Sequence, residues 1–279
     1  MSIPKEDRSS QNMTHNISLV AVDLDGTLLT SAGTLAPRSA ALLTRAAQQG
    51  LHVILATTRL PDSVQAFCRQ LSLVHPIICI NGAQIWGSPQ GPIWISHCIP
   101  QEVALVIAQV ADAHNWDLSI TIGSTRYRRQ RPGQALGQLA PNRIVVPSNV
   151  DALVGDPVRI LAQQPEAIAP LRALCHAQFA RECHTEIYYD ANGAARELGI
   201  FARQADKGTA LAFVLARLAV PREHVLVIGD NLNDLPMFPY ASVCVAMGNA
   251  PEVVKQQASI IAPSNDEEGV AWVLETMGL

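Results

Sequence analysis

Between Ile17 and Ile80, three short apolar runs alternate with two Ala- and Leu-rich stretches of helical length, and that rhythm leaves few folds open. The runs are Ile17–Val22, His52–Leu55 and Pro76–Ile80. They do not alternate apolar with polar residues, so each reads as a strand covered on both faces. The stretches between them, APRSAALLTRAAQQG (36–50) and PDSVQAFCRQLSL (61–73), read as helices; Gly50 ends the first and Pro61 opens the second. Strand, helix, strand, helix, strand implies right-handed crossovers between parallel strands. The expected fold is α/β, with a doubly wound parallel sheet as its core.

The same texture returns late in the chain. Ala205–Val220 reads as a helix and HVLVIGD (224–230) as a strand, followed by a short helix near Asn233–Phe238. SVCVAMGNA, a helix at Pro251–Gln257 and SIIAPSN extend the pattern. The middle differs. It has strand-like pieces at Ala83–Trp86 and Pro92–His97, a helix at Gln101–His114, and a strand-helix-strand set from Asp156 to Tyr189. We expect an α+β domain, residues 83–199, inserted into a core made of residues 17–82 and 200–279, with hinges near Asn81–Gly82 and Leu198–Arg203. Residues 1–16 are polar and read as a mobile tail.

Charge and cysteine usage narrow the function. The formal net charge is −4, whereas binders of the phosphate backbone carry a basic surplus, so no nucleic-acid partner is expected. STRYRRQRPGQ, with Arg126, Arg128, Arg129 and Arg131, is read first as a solvated loop and second as a lid contact to an anionic substrate. No apolar stretch has the ~18 residues of a membrane span, and the N-terminus has no signal-peptide core. The six cysteines contain no CxxC pair, and the spacing of Cys175-His176 and Cys183-His184 fits no zinc motif. A cytoplasmic protein is expected.

The chemistry gathers at strand ends. Asp23 and Asp25 lie two apart after the first run, where open α/β sheets form their sites, and Gly26 lets the chain turn away. Paired carboxylates there suit a nucleophile and a general acid–base. Thr57, Thr58 and Arg59 close the second run, Lys207 starts the Ala205–Val220 helix, and GDNLND (229–234) closes the HVLVI strand. A carboxylate attacking a phosphate dianion at ~4 Å meets repulsion of roughly 8 kcal/mol at an effective dielectric near 20. Asp23 and Asp230 could hold Mg²⁺, Lys207 adds positive charge, and Thr57 can donate to phosphoryl oxygens.

DLDGT, then TTR, a lone Lys and GDNLND, in that order, resemble the motifs of the haloacid dehalogenase-like phosphatases. The large insertion is similar to the type-two cap of their Cof-type branch. The resemblance implies a Rossmann-like core and Mg²⁺-dependent hydrolysis of a small phosphorylated metabolite, with sugar phosphates commonest. By it Asp23 is the nucleophile, Asp25 the acid and base, and Lys207 stabilises both nucleophile and phosphoryl group. Thr57 and Asn233 bind phosphate. Asp23, the Asp25 carbonyl and Asp230 ligate the metal, which Asp234 supports. The family usually has Gly where this chain has Thr58, so the loop must keep φ negative there for the residue-58 amide to serve phosphate. Two other outcomes stay open: an aspartyl-phosphate switch without catalysis, and a phosphomutase.

Overall fold

Each apolar run of the first 80 residues becomes a strand, and the stretches between them become helices. The computed structural model describes residues 16–131, 133, 136–189 and 193–279, so of the expected tail only Asn16 lies within the described residues. In chain order the first elements are β1 (Leu19–Val22), α1 (Pro37–Gln48), β2 (His52–Ala56), α2 (Pro61–Gln70), β3 (Ile77–Cys79), β4 (Gln84–Trp86) and β5 (Ile93–Ser96). Next come α3 (Gln101–Ala113), β6 (Leu118–Ile122), β7 (Thr125–Arg129), β8 (Gly137–Ala140), β9 (Arg143–Val146), β10 (Arg159–Ala162), α4 (Pro165–Gln178), β11 (Cys183–Tyr189) and β12 (Ala195–Ala202). The chain closes with α5 (Lys207–Leu218), β13 (Val225–Gly229), β14 (Val243–Ala246), α6 (Glu252–Lys255), β15 (Ile260–Ile261) and α7 (Gly269–Met277).

The core sheet has the order β15-β14-β13-β1-β2-β3-β4-β5, parallel from β15 to β3 and antiparallel beyond. Both faces are covered, which is why the strand sequences do not alternate. Val20 and Val22 pack with Leu43 of α1, Val64 of α2 and Val273 of α7. Leu19 and Ala21 pack on the other face with Leu211 and Val214 of α5. All four β1 residues are fully buried, each Val or Leu adding about 1.5–3 kcal/mol. From β1 the chain winds outward through β2 and β3 on one side and returns through β13 on the other. The loops after β1, β2 and β13 therefore meet at a topological switch point.

The second sheet, β11-β12-β10-β6-β7-β9-β8, belongs to the insertion, called the cap below. Ile120, Ile160 and Leu198 line one face and pack against Ile107 of α3 and Leu171 of α4. Its other face is polar and turns toward the core: Arg159 Nη1 donates to the Thr58 carbonyl at 3.0 Å. No helix of the described residues is long and apolar enough to cross a membrane.

Three expectations need correction. The pieces at Ala83–Trp86 and Pro92–His97 are not part of the insertion; β4 and β5 extend the core sheet beyond β3. The hairpin covers an edge that β3 would otherwise leave open. At the far end β12 continues in the cap sheet to Ala202, so the insertion lies between β5 and α5, not at 83–199. The arginine-rich stretch is a strand, β7, over Thr125–Arg129, because Tyr127 can pack on the apolar cap face while its neighbours point away; residues 132 and 134 of that stretch lie outside the described residues. The expected short helix near Asn233–Phe238 is a 3₁₀ turn, Leu232–Tyr240, since Pro236 and Pro239 deny it α-helical hydrogen bonds.

Candidate active site

Pairing of β13, β1 and β2 in parallel brings Asp230, Asp23 and Thr57 to one place, each just past its strand. The approach is close enough to require glycine at 26. Gly26 has φ +82°, and a Cβ there would stand 2.4 Å from Asp230 Oδ2. Thr27 Oγ1 donates to Asp230 Oδ1 at 2.9 Å and so orients that carboxylate.

Lys207 enters from the first turn of α5, a helix capped by Asp206, whose side chain accepts from the Thr209 amide. Its side chain is 1% exposed, and Nζ donates to Asp23 Oδ1 at 2.7 Å and to Asp234 Oδ1 at 2.6 Å. Asp234 Oδ2 accepts from the amides of Asp230 and Asn231 at 2.9 and 3.0 Å. Both oxygens of Asp234 are therefore engaged by the protein, and it braces Lys207 and the Asp230 backbone.

Charge in this pocket is unbalanced. Asp23, Asp230 and Asp234 offer carboxylate oxygens all within 4.8 Å of one another, against the single ammonium of Lys207. Burial pushes the Asp23 carboxyl well above its ordinary range; Lys207 pulls it down, while Asp234 and Asp230 push it up. Asp230 rises to about 7, first through burial and then through Asp234, with Thr27 and Lys207 working against both. For Lys207, burial alone would lower the pKa, but Asp23 and Asp234 more than offset it and hold the ammonium charged. An all-oxygen acidic set with surplus negative charge fits a hard divalent cation such as Mg²⁺. Asp23 and Asp230 are the carboxylates with capacity left to hold it.

A pH dependence follows. Between 3.8 and about 7 the folded protein keeps a proton on Asp230 that the unfolded chain has released. This contribution to stability is present at low pH and disappears as pH rises through about 7. Urea titrations of metal-free protein across that interval should show a downward slope of stability with pH that is shallower in Asp230→Asn. An equal slope in both proteins would contradict the assignment.

Asp25 sits apart from the acidic cluster. Its side chain is half-exposed, and both oxygens accept from Arg59, from Nε at 2.7 Å and Nη2 at 2.6 Å. Thr57 is fully buried and its Oγ1 accepts from the Arg59 amide. Thr58 keeps a negative φ; the left-handed conformations fall instead on Ile80 and Asn81, with φ of 52° and 56°. A β-branched residue resists that conformation, so the turn stores strain. The strained turn aims Asn81, which is 1% exposed: its amide donates to the Thr57 carbonyl, and its side chain donates to Glu186 of the cap at 2.6 Å. It also accepts from Asn233 Nδ2 at 3.2 Å. A cavity of about 890 Å³ opens beside these groups, lined by Gly26, Asp230 and Asn233 below and by Glu186 and Tyr188 of the cap above.

The structure thus brings Asp23, Lys207, Asp230 and Asp234 into contact and places Thr57, Thr58, Asn233 and Asp25 around them. Sequence reasoning named Arg59 with the two threonines but gave it no role, and it missed Asn81 and Glu186 as site residues. Nothing local marked Glu186, which meets the site only through the cap fold.

Known proteins resemble this chain along nearly its whole length. The chain is 27% identical over 279 residues to 5-amino-6-(5-phospho-D-ribitylamino)uracil phosphatase YcsE of Bacillus subtilis, covering 98% of this chain and 100% of that one. It is 27% identical to pyridoxal phosphate phosphatase YbhA of Escherichia coli, over 91% of this chain and 96% of that one. A crystal structure of a haloacid dehalogenase-like hydrolase from Bacteroides thetaiotaomicron superposes with a TM-score of 0.80 at 24% identity, over 93% and 98% of the two chains. The haloacid dehalogenase-like hydrolase family model matches residues 20–274, nearly the whole described chain, and the protein is therefore an enzyme of that hydrolase family.

Proposed function

We propose that the enzyme hydrolyses the phosphate ester of a small metabolite, of the sugar-phosphate kind, through a phosphoryl group carried on Asp23. The observation that carries this reading is the buried Lys207–Asp23 pair beside Asp230 at the switch point. Relatives named as phosphatases of a ribityl phosphate and of pyridoxal phosphate support the substrate class.

Lys207 holds Asp23 Oδ1, which leaves Oδ2 free to attack phosphorus as the ester P–O bond breaks. The departing oxygen takes a proton from the Asp25 carboxyl. A water then attacks the same phosphorus while Asp25 takes its proton, the P–O bond to Asp23 breaks, and inorganic phosphate leaves. Thr57 and Asn233 donate to the phosphoryl oxygens, with Thr58 offering its amide. Mg²⁺ would be held by Asp23, Asp230 and the Asp25 carbonyl, with Asp234 in support, and when bound would supply the positive charge that lets two anions meet.

Arg59 has a part in both steps. Its fork holds both Asp25 oxygens, and that grip must loosen for Asp25 to reach the leaving oxygen and then the attacking water. A dianionic phosphate arriving nearby competes for the guanidinium and would loosen it. A panel of phosphorylated metabolites assayed for phosphate release, with Mg²⁺ and after chelation, tests the reading. Metal-dependent release from sugar phosphates is expected; undiminished release after exhaustive chelation contradicts it.

A further inference from the structure

One set of polar groups on the cap sheet has no part in the chemistry above. Strand register places Arg143, Arg126, Thr121 and Arg159 side by side across β9, β7, β6 and β10. Paired residues in adjacent strands project from the same face, here the polar one turned toward the core. Ser119 occupies the neighbouring row of that face. Arg159 is 8% exposed, Ser119 2% and Thr121 0%. The Arg159 contact to the Thr58 carbonyl fixes the row beside the loop that carries Thr57.

These groups are buried without being satisfied. Arg126 Nε, Arg159 Nε, Thr121 Oγ1 and Ser119 Oγ have no hydrogen-bond partner among the described residues. Each such group is costly to bury without a partner, and native proteins seldom keep several together. The charges make the imbalance worse. Burial first, and then Arg143 and Arg128, disfavour the charge on Arg126. Glu197 favours the charge on Arg126 and Arg159 but also accepts from Gln163, and Glu186 is engaged by Asn81 and Tyr188.

We propose that this row is a second-anion subsite, in which Arg126 and Arg159, with the Thr121 hydroxyl between them, bind a carboxylate or second phosphate on the leaving group. This rests on the phosphatase reading and narrows its substrate to phosphomonoesters that carry another anion. The two arginines stand two strands apart, about 10 Å between backbones, a span that two guanidinium side chains can close on one anion above Thr121. Planar forks of N–H donors match carboxylate and phosphate oxygens, whereas a neutral sugar hydroxyl would leave both charges uncompensated.

The test reads binding, so it stands apart from turnover. Calorimetry on full-length Asp23→Asn protein with Mg²⁺ would compare glucose 6-phosphate, 6-phosphogluconate and fructose 1,6-bisphosphate. At least one of the two doubly anionic probes should bind about tenfold or more tighter than glucose 6-phosphate, and which one does so identifies carboxylate or phosphate as the second anion. That preference should collapse in Arg126→Met and in Arg159→Met, each added to the same background. Because Arg159 also braces the Thr58 loop, Thr121→Val supplies a milder variant that should lose part of the preference. Equal affinity for all three probes, or a preference that survives both arginine changes, overturns the subsite. Hydrolysis of p-nitrophenyl phosphate by the unaltered enzyme judges the phosphatase reading separately, since that substrate has no second anion.

Discussion

Asp23→Asn is expected to lower kcat by about four orders of magnitude or more toward every phosphomonoester, while the protein stays folded. The amide cannot attack phosphorus, and no other carboxylate is placed to take over: Asp234 is engaged by Lys207 and two amides, and Asp230 is turned by Thr27. The fold should survive because the group removed is a buried charge that its surroundings resist, as its raised pKa reports. Lys207 keeps its second partner, Asp234, at 2.6 Å. The urea midpoint of metal-free Asp23→Asn should therefore equal or exceed that of the parent. Residual turnover within a hundredfold of the parent, roughly 3 kcal/mol of barrier, would remove Asp23 from the nucleophile's role.

Lys207→Met should damage both stability and rate. It leaves Asp23, Asp230 and Asp234 facing one another with no cation among them. Breaking a buried ion pair from one side costs about 3–5 kcal/mol, so the metal-free variant should unfold at clearly lower urea. Adding Mg²⁺ should recover part of that loss, because a ligand that binds only the folded state stabilises it. Turnover should fall about 10²–10³-fold, the scale of losing one preorganised donor to a developing charge. Lys207→Arg keeps the charge but needs room for a planar guanidinium where the lysine side chain is 1% exposed and touches two carboxylates. It should be impaired in turnover too. An arginine variant working like the parent would mean that charge alone matters at this position.

The core was legible because its signals are local. A buried parallel strand is a short apolar run, and the polar residues that end it fall at the sheet's carboxyl edge; Asp23, Thr57 and Asp230 could be placed from that rule. Lys207 by its local sequence alone reads as a helix-start lysine; the order of the motifs gave it a role, and the packing of α5 against the 3₁₀ turn shows it buried. The β4–β5 hairpin was assigned to the wrong unit, since its sequence specifies strands but not their partner; pairing with β3 is a long-range choice. Asn81 and Glu186 depend on such choices as well. Asn81 meets Glu186 across 105 residues of sequence, and no local pattern encodes that contact. The arginines of β7 were visible as a cluster, but their alignment with Arg159 follows from strand register alone.

Covalent capture of the substrate's phosphoryl group is the central step of the proposed reaction, and Asp25→Asn offers the way to see it. With p-nitrophenyl phosphate the leaving phenolate needs no proton, so Asp23 should still be phosphorylated. The hydrolytic water then lacks its base, and the phosphoenzyme should accumulate. With a sugar phosphate the first step itself should slow, because an alkoxide leaves poorly without an acid. Rapid acid quench followed by peptide mass spectrometry reads both. A phosphoryl group is expected on the peptide containing Asp23, in near-stoichiometric amount with the aryl ester and far less with the sugar phosphate. Equal slowing with both substrates and no phosphoryl group on Asp23 would contradict covalent capture.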